Sequence, residues 1–317
     1  MVIALQISSQ VQFIQAPFNG YDLQIPCLLG NRAVLIDAGM DSSVEAWILP
    51  FLQKAGITAV SEVIVTHAHM DHFGGLGRLK SHFPGLSISV GGADRAWVES
   101  PLLHWEQMYE VYTGEWNPHD NYRESLLKQC GTPTLVTRSL QWGDQIEIGC
   151  GMDLSVLELP AHSPGHIALY MQGGCMLFAG DVLQGRGTAA KGRLCTFPLY
   201  VDPVDYRASL HTVEDLDPTW VCTSHFGTLD RAAFSVKIKQ CRDFDDELSE
   251  RVWAVVRKAG EPLSLRMVAD RLHATWYREY ADEFQIVATI HGYLKWLMGL
   301  RYVTSEEIAG RMHWAAR

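Results

Sequence analysis

Thr66-His67-Ala68-His69-Met70-Asp71-His72-Phe73-Gly74-Gly75 stands directly behind the apolar run Val63-Ile64-Val65. Residues 61–65 read as a short buried strand, so three imidazoles and a carboxylate arrive at a strand end within six positions. In extended backbone alternate side chains point the same way, which lets His67 and His69 grip one ion. Asp71 and His72 lie further round, where the chain turns at Phe73-Gly74-Gly75, and are placed to face a second ion. Imidazole and carboxylate ligands suit zinc, manganese or iron(II).

The flanking sequence reads as a scaffold for that turn. Residues 11–14 and 23–28 are strand candidates before the turn Gly30-Asn31-Arg32, and residues 33–39 form another strand that ends on glycine. Val44, Trp47, Ile48, Phe51 and Leu52 recur at helical spacing, predicting an amphipathic helix over 42–55 with Gly56 past its end. Beyond the His-rich turn, residues 76–82 read as helix and 86–90 as strand, and a long helical stretch starts near Ala93. Strands at 145–148 and 154–159 lead into Pro160-Ala161-His162-Ser163-Pro164-Gly165-His166. A hairpin of residues 167–171 and 176–179 ends at Gly180-Asp181, and a last strand at 220–223 ends at Ser224-His225-Phe226-Gly227. Each polar cluster therefore sits at the end of an apolar strand, where a rigid scaffold presents functional groups.

Past residue 230 the pattern becomes amphipathic helix, over 234–258, over 263–272, and in a segment carrying Ile286, Ile290, Leu294 and Leu297. Two short strands, 299–303 and 311–315, close the chain. This order predicts a winged-helix-like C-terminal domain over 231–317, behind a catalytic domain over 1–230.

Composition narrows the function classes. At 317 residues with 47% hydrophobic and 20% charged, the chain can bury a large core in one main domain plus a smaller one. No apolar run reaches the roughly 18 residues of a membrane span. Met1-Val2-Ile3-Ala4-Leu5-Gln6 lacks the basic start and cleavage pattern of a signal peptide. The seven cysteines are scattered, odd in number and without a CxxC pair, which points to free thiols in a reducing cytoplasm. The net charge of −10 is split into −12 over residues 1–230 and +2 over 231–317. Such an acidic catalytic portion repels polyanions and disfavours nucleic acid as a partner. Apolar residues in the tail allow a homodimer.

Thr66–His72 (THAHMDH), residues 160–166 (PAHSPGH), 179–181 (AGD) and 224–227 (SHFG) together resemble the metallo-β-lactamase superfamily, specifically its HxHxDH hydrolases. One HxHxDH can arise by chance; all four motifs in the family's order make a specific signature. The resemblance implies an α/β fold, a four-layer αββα sandwich with two divalent metal ions at one edge. It implies that His67, His69 and His162 hold the first ion, Asp71, His72 and His225 the second, and that Asp181 bridges them. Zn2+ is the expected metal, with Mn2+ or Fe2+ as alternatives. A water or hydroxide bridging the ions would be the nucleophile, so no catalytic serine or cysteine is required. Asp71 is also placed to shuttle a proton to the leaving group. His166 resembles the second histidine of the family's HTxGH pattern, which usually lies outside the metal ligands, so it would either orient a ligand or simply pack. Two positions distinguish this chain within the family pattern. Ser224 stands where many relatives carry glycine before the last metal histidine, and His69 stands where oxygen-reducing diiron members carry an acidic residue.

Substrate choice falls outside the motifs. Trp105, Met108, Tyr109 and Tyr112 follow helical spacing and would pack an insert, about 97–130, onto the domain. Trp105 and Tyr109 are candidates to roof the metals over an apolar acyl or aromatic group. The glycine-rich loop 184–193 carries Arg186, Lys191 and Arg193, which would either be solvated or capture an anionic group. Tyr200 is a candidate to hydrogen-bond a carbonyl. The reading favoured by these residues is a dinuclear metal-dependent hydrolase of a small-molecule ester, thioester or lactone. A metal-dependent ribonuclease or phosphodiesterase of the winged-helix-bearing β-lactamase-like type is the alternative. A non-catalytic metal-bound sensor is a third reading, which the complete ligand set argues against.

Overall fold

The computed structural model describes residues 10–18, 20–190, 194–280 and 283–317. The N-terminal residues 1–6, and Lys191 and Arg193 of the glycine-rich loop, lie outside the described residues.

Two six-stranded sheets face one another. The first has the order β1 (Val11–Gln15), β2 (Gln24–Leu29), β3 (Ala33–Ile36), β4 (Glu62–Val65), β5 (Ser87–Gly91), β6 (Arg138–Leu140). Its first three strands pair antiparallel and the rest parallel. The second sheet contains β7 (Gln145–Ile146), β8 (Leu154–Glu158), β9 (Ile167–Met171), β10 (Met176–Phe178), β13 (Trp220–Cys222) and β14 (Thr228–Asp230). Between β10 and β13 run a separate hairpin, β11 (Thr188–Ala190) and β12 (Leu194–Thr196), and the crossover helix Pro203–Asp215. That helix returns the chain so that β10 and β13 pair parallel.

The strand period assigns each side chain to a layer. On β4, Ile64 enters the core between the sheets, while Val63 and Val65 join the core under the outer helices. On β9, Ile167 and Leu169 face the other sheet and Ala168 faces outward to the helices. Both sheets are thus covered on both faces, giving the αββα sandwich expected from the sequence.

Several local expectations shift. The helical stretch Asp41–Lys54 buries Val44, Ile48 and Leu52, but Trp47, assigned to the same face, is 43% exposed. The stretch from Ala93 is not one long helix. Ser100 is extended before Pro101, as the residue ahead of a proline prefers, and its hydroxyl caps a new helix by accepting from the Leu103 amide at 3.2 Å. A further segment, Tyr122–Gln129, follows. The three-residue strands β6 and β14 and the helix Pro203–Asp215 were not expected, the strands being too short and polar to show an apolar period.

The C-terminal part runs as helix Arg231–Ala259, β15 (Leu263–Ser264), helix Leu265–Thr275, helix Glu283–Gly299, β16 (Val303–Ile308) and β17 (Arg311–Ala316). Its sheet has the order β15-β17-β16. The strand expected over 299–303 begins only at Val303, because the chain first makes a left-handed turn at Arg301 (φ 65°). Contact with the sandwich is intimate. A Cβ on Gly292 would lie 2.4 Å from the Val201 carbonyl oxygen, so only glycine lets the last long helix approach so closely. Phe197 packs edge-on against Phe244 at 5.4 Å. Buried Asp245 accepts from Arg207 Nε at 2.6 Å and from the Tyr293 hydroxyl, tying two helices of this region to the crossover helix. Replacing Asp245 by Ala strips both donors of their acceptor and should cost about 3 kcal/mol. Equilibrium urea unfolding measures it; a loss below roughly 1 kcal/mol would show that the contact is not structural.

Candidate metal centre

The first sheet supplies the His-rich turn at the end of β4. The second supplies the rest: His162 after β8, Asp181 after β10 and His225 after β13. Three groups bring possible ligand atoms within 4.8 Å of one another: His67, His69 and His162; His67, His72 and Asp181; Asp71, His72 and His225. His67 Nε2 and His69 Nδ1 approach to 3.0 Å. One oxygen of Asp181, Oδ2, lies 3.2 Å from His225 Nε2, 3.5 Å from His162 Nε2, 3.6 Å from His72 Nε2 and 3.9 Å from His67 Nε2. Asp71 Oδ2 is 3.3 Å from His225 Nε2 and 3.5 Å from His72 Nε2. The structure thus gathers all seven residues that the sequence singled out as metal ligands.

The donor set fits cations. His72 Nε2 and His162 Nε2 are buried, point into the cluster and have no hydrogen-bond partner. A buried imidazole nitrogen left unpaired is costly, and a cation would satisfy both.

The opposite ring nitrogens are fixed from behind, as metal-binding histidines require. His72 Nδ1 donates to Asp37 Oδ2 at 2.9 Å. His162 Nδ1 is 2.7 Å from the Leu199 carbonyl, His225 Nδ1 is 2.8 Å from the Asp22 carbonyl, and His67 Nδ1 is 3.0 Å from Thr66 Oγ1. Asp37 also accepts from the Thr66 amide at 2.7 Å. Asp94 accepts from the Ala68 and Gly165 amides, each at 2.7 Å, and from Ser163 Oγ at 2.5 Å. It therefore clamps the His67 turn to the His162 turn. Asp37 and Asp94 went unnoticed in the sequence, although Asp37 closes a strand and Asp94 follows a Gly-Gly turn, the same positions that mark Asp181 and its neighbours.

His166 sits behind Asp181. Burial pushes its pKa down to about 3, so the ring is neutral and Nε2 accepts the Asp181 amide at 3.1 Å. Gly180 must approach that ring with φ 52°, and a Cβ there would fall 2.7 Å from His166 Nε2. Ser224 has no left-handed backbone, so glycine is not required there. Its carbonyl accepts the Gln24 amide at 2.8 Å and anchors the His225 loop.

Charge is divided across the cluster. Burial alone would raise the Asp71 and Asp181 carboxyls, but the His72 and His225 imidazoles outweigh it and hold both well below the usual carboxylate range. Burial would likewise lower His72 and His225. Asp71, Asp37 and Asp181 around His72, and Asp181 and Asp71 around His225, push them well above 6.5. His67 and His69 are driven well below it by burial and by neighbouring imidazoles.

Above the cluster opens a cavity of about 230 Å³. Met70, Tyr109, Tyr122, Leu199 and Phe284 line it beside His69, Asp71, His162, Asp181, Gln184 and His225. Tyr109 therefore reaches the site as expected, but three other substrate candidates are corrected. Trp105 stacks behind Tyr109 (5.4 Å, 9°) and is buried away from the cavity. The Tyr200 ring is fully buried against Tyr206 at 3.9 Å, and its hydroxyl lies 3.1 Å from that of Tyr293 instead of facing a substrate. Arg186 makes a bidentate pair with Glu247 at 2.8 and 3.2 Å and is not among the residues that line the cavity. Tyr122 and Phe284 were missed as cavity residues, since long-range packing, not periodicity, brings them there.

The Metallo-beta-lactamase superfamily sequence model matches residues 27–225. The chain belongs to this superfamily. A hydroxyacylglutathione hydrolase of Xanthomonas campestris pv. campestris is 27% identical over 274 residues, covering 85% of this chain and 87% of that protein. A probable metallo-hydrolase, YqjP, of Bacillus subtilis is 26% identical, covering 67% of this chain and 69% of that one. The crystal structure of a metallo-beta-lactamase family protein from Thermus thermophilus aligns with TM-score 0.75 at 19% identity, covering 97% of this chain and 98% of that one. A beta-lactamase domain protein from Burkholderia ambifaria aligns with TM-score 0.74 at 19% identity, covering 98% and 94%. The fold match includes the C-terminal region. Together with the cluster, family membership makes the chain a metal-dependent hydrolase.

Two outcomes test the site. Asp37→Ala touches no cation yet should weaken metal binding about 10- to 100-fold by releasing His72; chelator competition reads it, and unchanged affinity would overturn the role of Asp37. A protonated imidazole cannot ligate. Because His72 and His225 keep their protons to higher pH than ordinary histidine, and His67 and His69 lose theirs early, acidification should empty the Asp71–His72–His225 group first. Metal analysis after dialysis at falling pH, compared between the parent and His225→Ala, should show the first-lost ion missing from the variant; loss of both ions together would contradict it.

Proposed function

We propose that the protein hydrolyses the carbonyl of a small-molecule thioester, or a related ester or lactone, at a two-cation centre. The observation that carries this reading is the convergence of four imidazoles on one Asp181 oxygen at the floor of a cavity. His67, His69 and His162 would hold one divalent cation, Asp71, His72 and His225 the other, and Asp181 both. Zinc suits the nitrogen-rich set, and manganese or iron(II) are the alternatives. Such cations polarise a carbonyl oxygen and lower the pKa of a water to about 7, so that hydroxide is available at neutral pH. Thioesters stand first because the Xanthomonas relative is named for one.

The chain's own residues do the rest. Asp71, ionised and facing the cavity, accepts a proton from the attacking water and returns it to the leaving sulfur as the acyl C–S bond breaks and the C–O bond forms. His166, accepting the Asp181 amide, fixes the backbone from which that carboxylate extends. The described cavity lining contains no lysine or arginine, which supports an uncharged small molecule over a polyanion. No helix among the described residues is long and apolar enough to cross a membrane. The free thiols Cys27, Cys130, Cys150, Cys175, Cys222 and Cys241 support a reducing cytoplasm.

A panel of a thioester, an aryl ester, a lactone and single-stranded RNA tests this with zinc-loaded protein. Carbonyl cleavage should be lost with EDTA and restored by zinc, and Asp71→Asn should lower kcat about 100-fold. RNA cleavage without carbonyl cleavage would favour the phosphodiesterase alternative and overturn the proposal.

A further inference from the structure

The sides of the cavity differ sharply. Its floor is the cation cluster, whereas one wall is aromatic and comes from two distant parts of the chain: Tyr109 and Tyr122 from the insert, and Phe284 from the start of the last long helix. Tyr109 and Phe284 lie ring to ring at 4.3 Å with planes tilted by 31°. Buried Trp116 supports both, 5.1 Å from Phe284 and 6.1 Å from Tyr109, and Trp105 backs Tyr109. The wall is therefore a preformed face, with rings that cannot swing away without emptying the core behind them. Its three rings carry no charge, so a charged substrate group placed against them would lose water without meeting a counter-ion among them.

We propose that Tyr109, Tyr122 and Phe284 form the subsite for the acyl half of the substrate, and that this subsite takes an uncharged apolar acyl group. The proposal rests on the carbonyl-hydrolase reading above. A carbonyl placed over the cations must send its acyl substituent and its leaving group in different directions. Met70, inside the ligand turn, lines the same cavity as the aromatic wall, so a substituent directed to that wall leaves the cations over apolar surface. A group of roughly six carbons, flat or flexible, fits the space left in a cavity of about 230 Å³ once the reacting carbonyl is in place. Aromatic faces offer such a group stacking contact as well as burial. The C-terminal helix, through Phe284, thereby becomes a determinant of specificity.

Acetyl, hexanoyl, benzoyl and succinyl thioesters of one thiol test this with the zinc-loaded full-length protein. The ratio kcat/KM for hexanoyl or benzoyl over acetyl should be at least about tenfold, carried mainly by KM, and succinyl should be the poorest. Phe284→Ala should erase that ratio and Phe284→Leu restore most of it. Zinc content and thermal unfolding identify any variant that has merely lost its fold. Calorimetric titration with acetamide, hexanamide and benzamide reads the wall without turnover: the larger amides should bind about tenfold tighter, and in Phe284→Ala they should not. If thioesters are hydrolysed with no preference among acyl groups, the subsite is wrong and the hydrolase reading stands. If no thioester is cleaved yet the amides discriminate, the subsite stands and the reaction is wrong. Equal amide affinities overturn the subsite in either case.

Discussion

Asp181 is the constraint on which the site depends. One of its oxygens has four imidazole nitrogens within 3.2 to 3.9 Å, in a pocket where the carboxylate itself is nearly buried. So many ligand groups gathered away from water need cations to balance their lone pairs and charge. They also require four loops from two sheets to end at one edge. The sandwich supplies that edge: β4 contributes from one sheet and β8, β10 and β13 from the other. The buried carboxylates Asp37 and Asp94 fix the His67 and His162 turns by accepting backbone amides, while Asp37 and the Leu199 and Asp22 carbonyls orient His72, His162 and His225.

The site was legible in the sequence to an unusual degree because its ligands sit immediately beyond apolar strands. Val63-Ile64-Val65 announces the strand, and the polarity change at His67 announces its end. What orients those ligands was less visible. Asp37, Asp94 and the carbonyls of Asp22 and Leu199 act through tertiary contacts that leave no spacing in the chain. Local pattern also misled where packing decides. Trp47 fits the helical face by spacing but is exposed, and Tyr200 stands near the cavity in sequence while its ring turns into the C-terminal core. The insert looked like one helix because Trp105, Met108, Tyr109 and Tyr112 keep a helical period, which does not reveal the break ahead of Pro101.

The C-terminal region is packed into the sandwich and reaches the cavity above the ligand cluster. Gly292 against Val201, Asp245 between Arg207 and Tyr293, and Phe197 against Phe244 make one continuous apolar core with the sandwich. This packing carries Phe284 to the cavity mouth, about 200 residues after the ligand turn in the sequence. The motif residues gather at the sheet edge, while Tyr109, Tyr122 and Phe284 reach the cavity above them from the insert and the C-terminal region.

The central claim is that this ligand set is a two-cation hydrolytic centre. Native mass spectrometry of the zinc-loaded chain and of Asp181→Ala tests it most directly. The account predicts two zinc ions per parent chain and loss of at least one from the variant, because a single carboxylate serves both. One ion or none in the parent, or two retained in the variant, would contradict it.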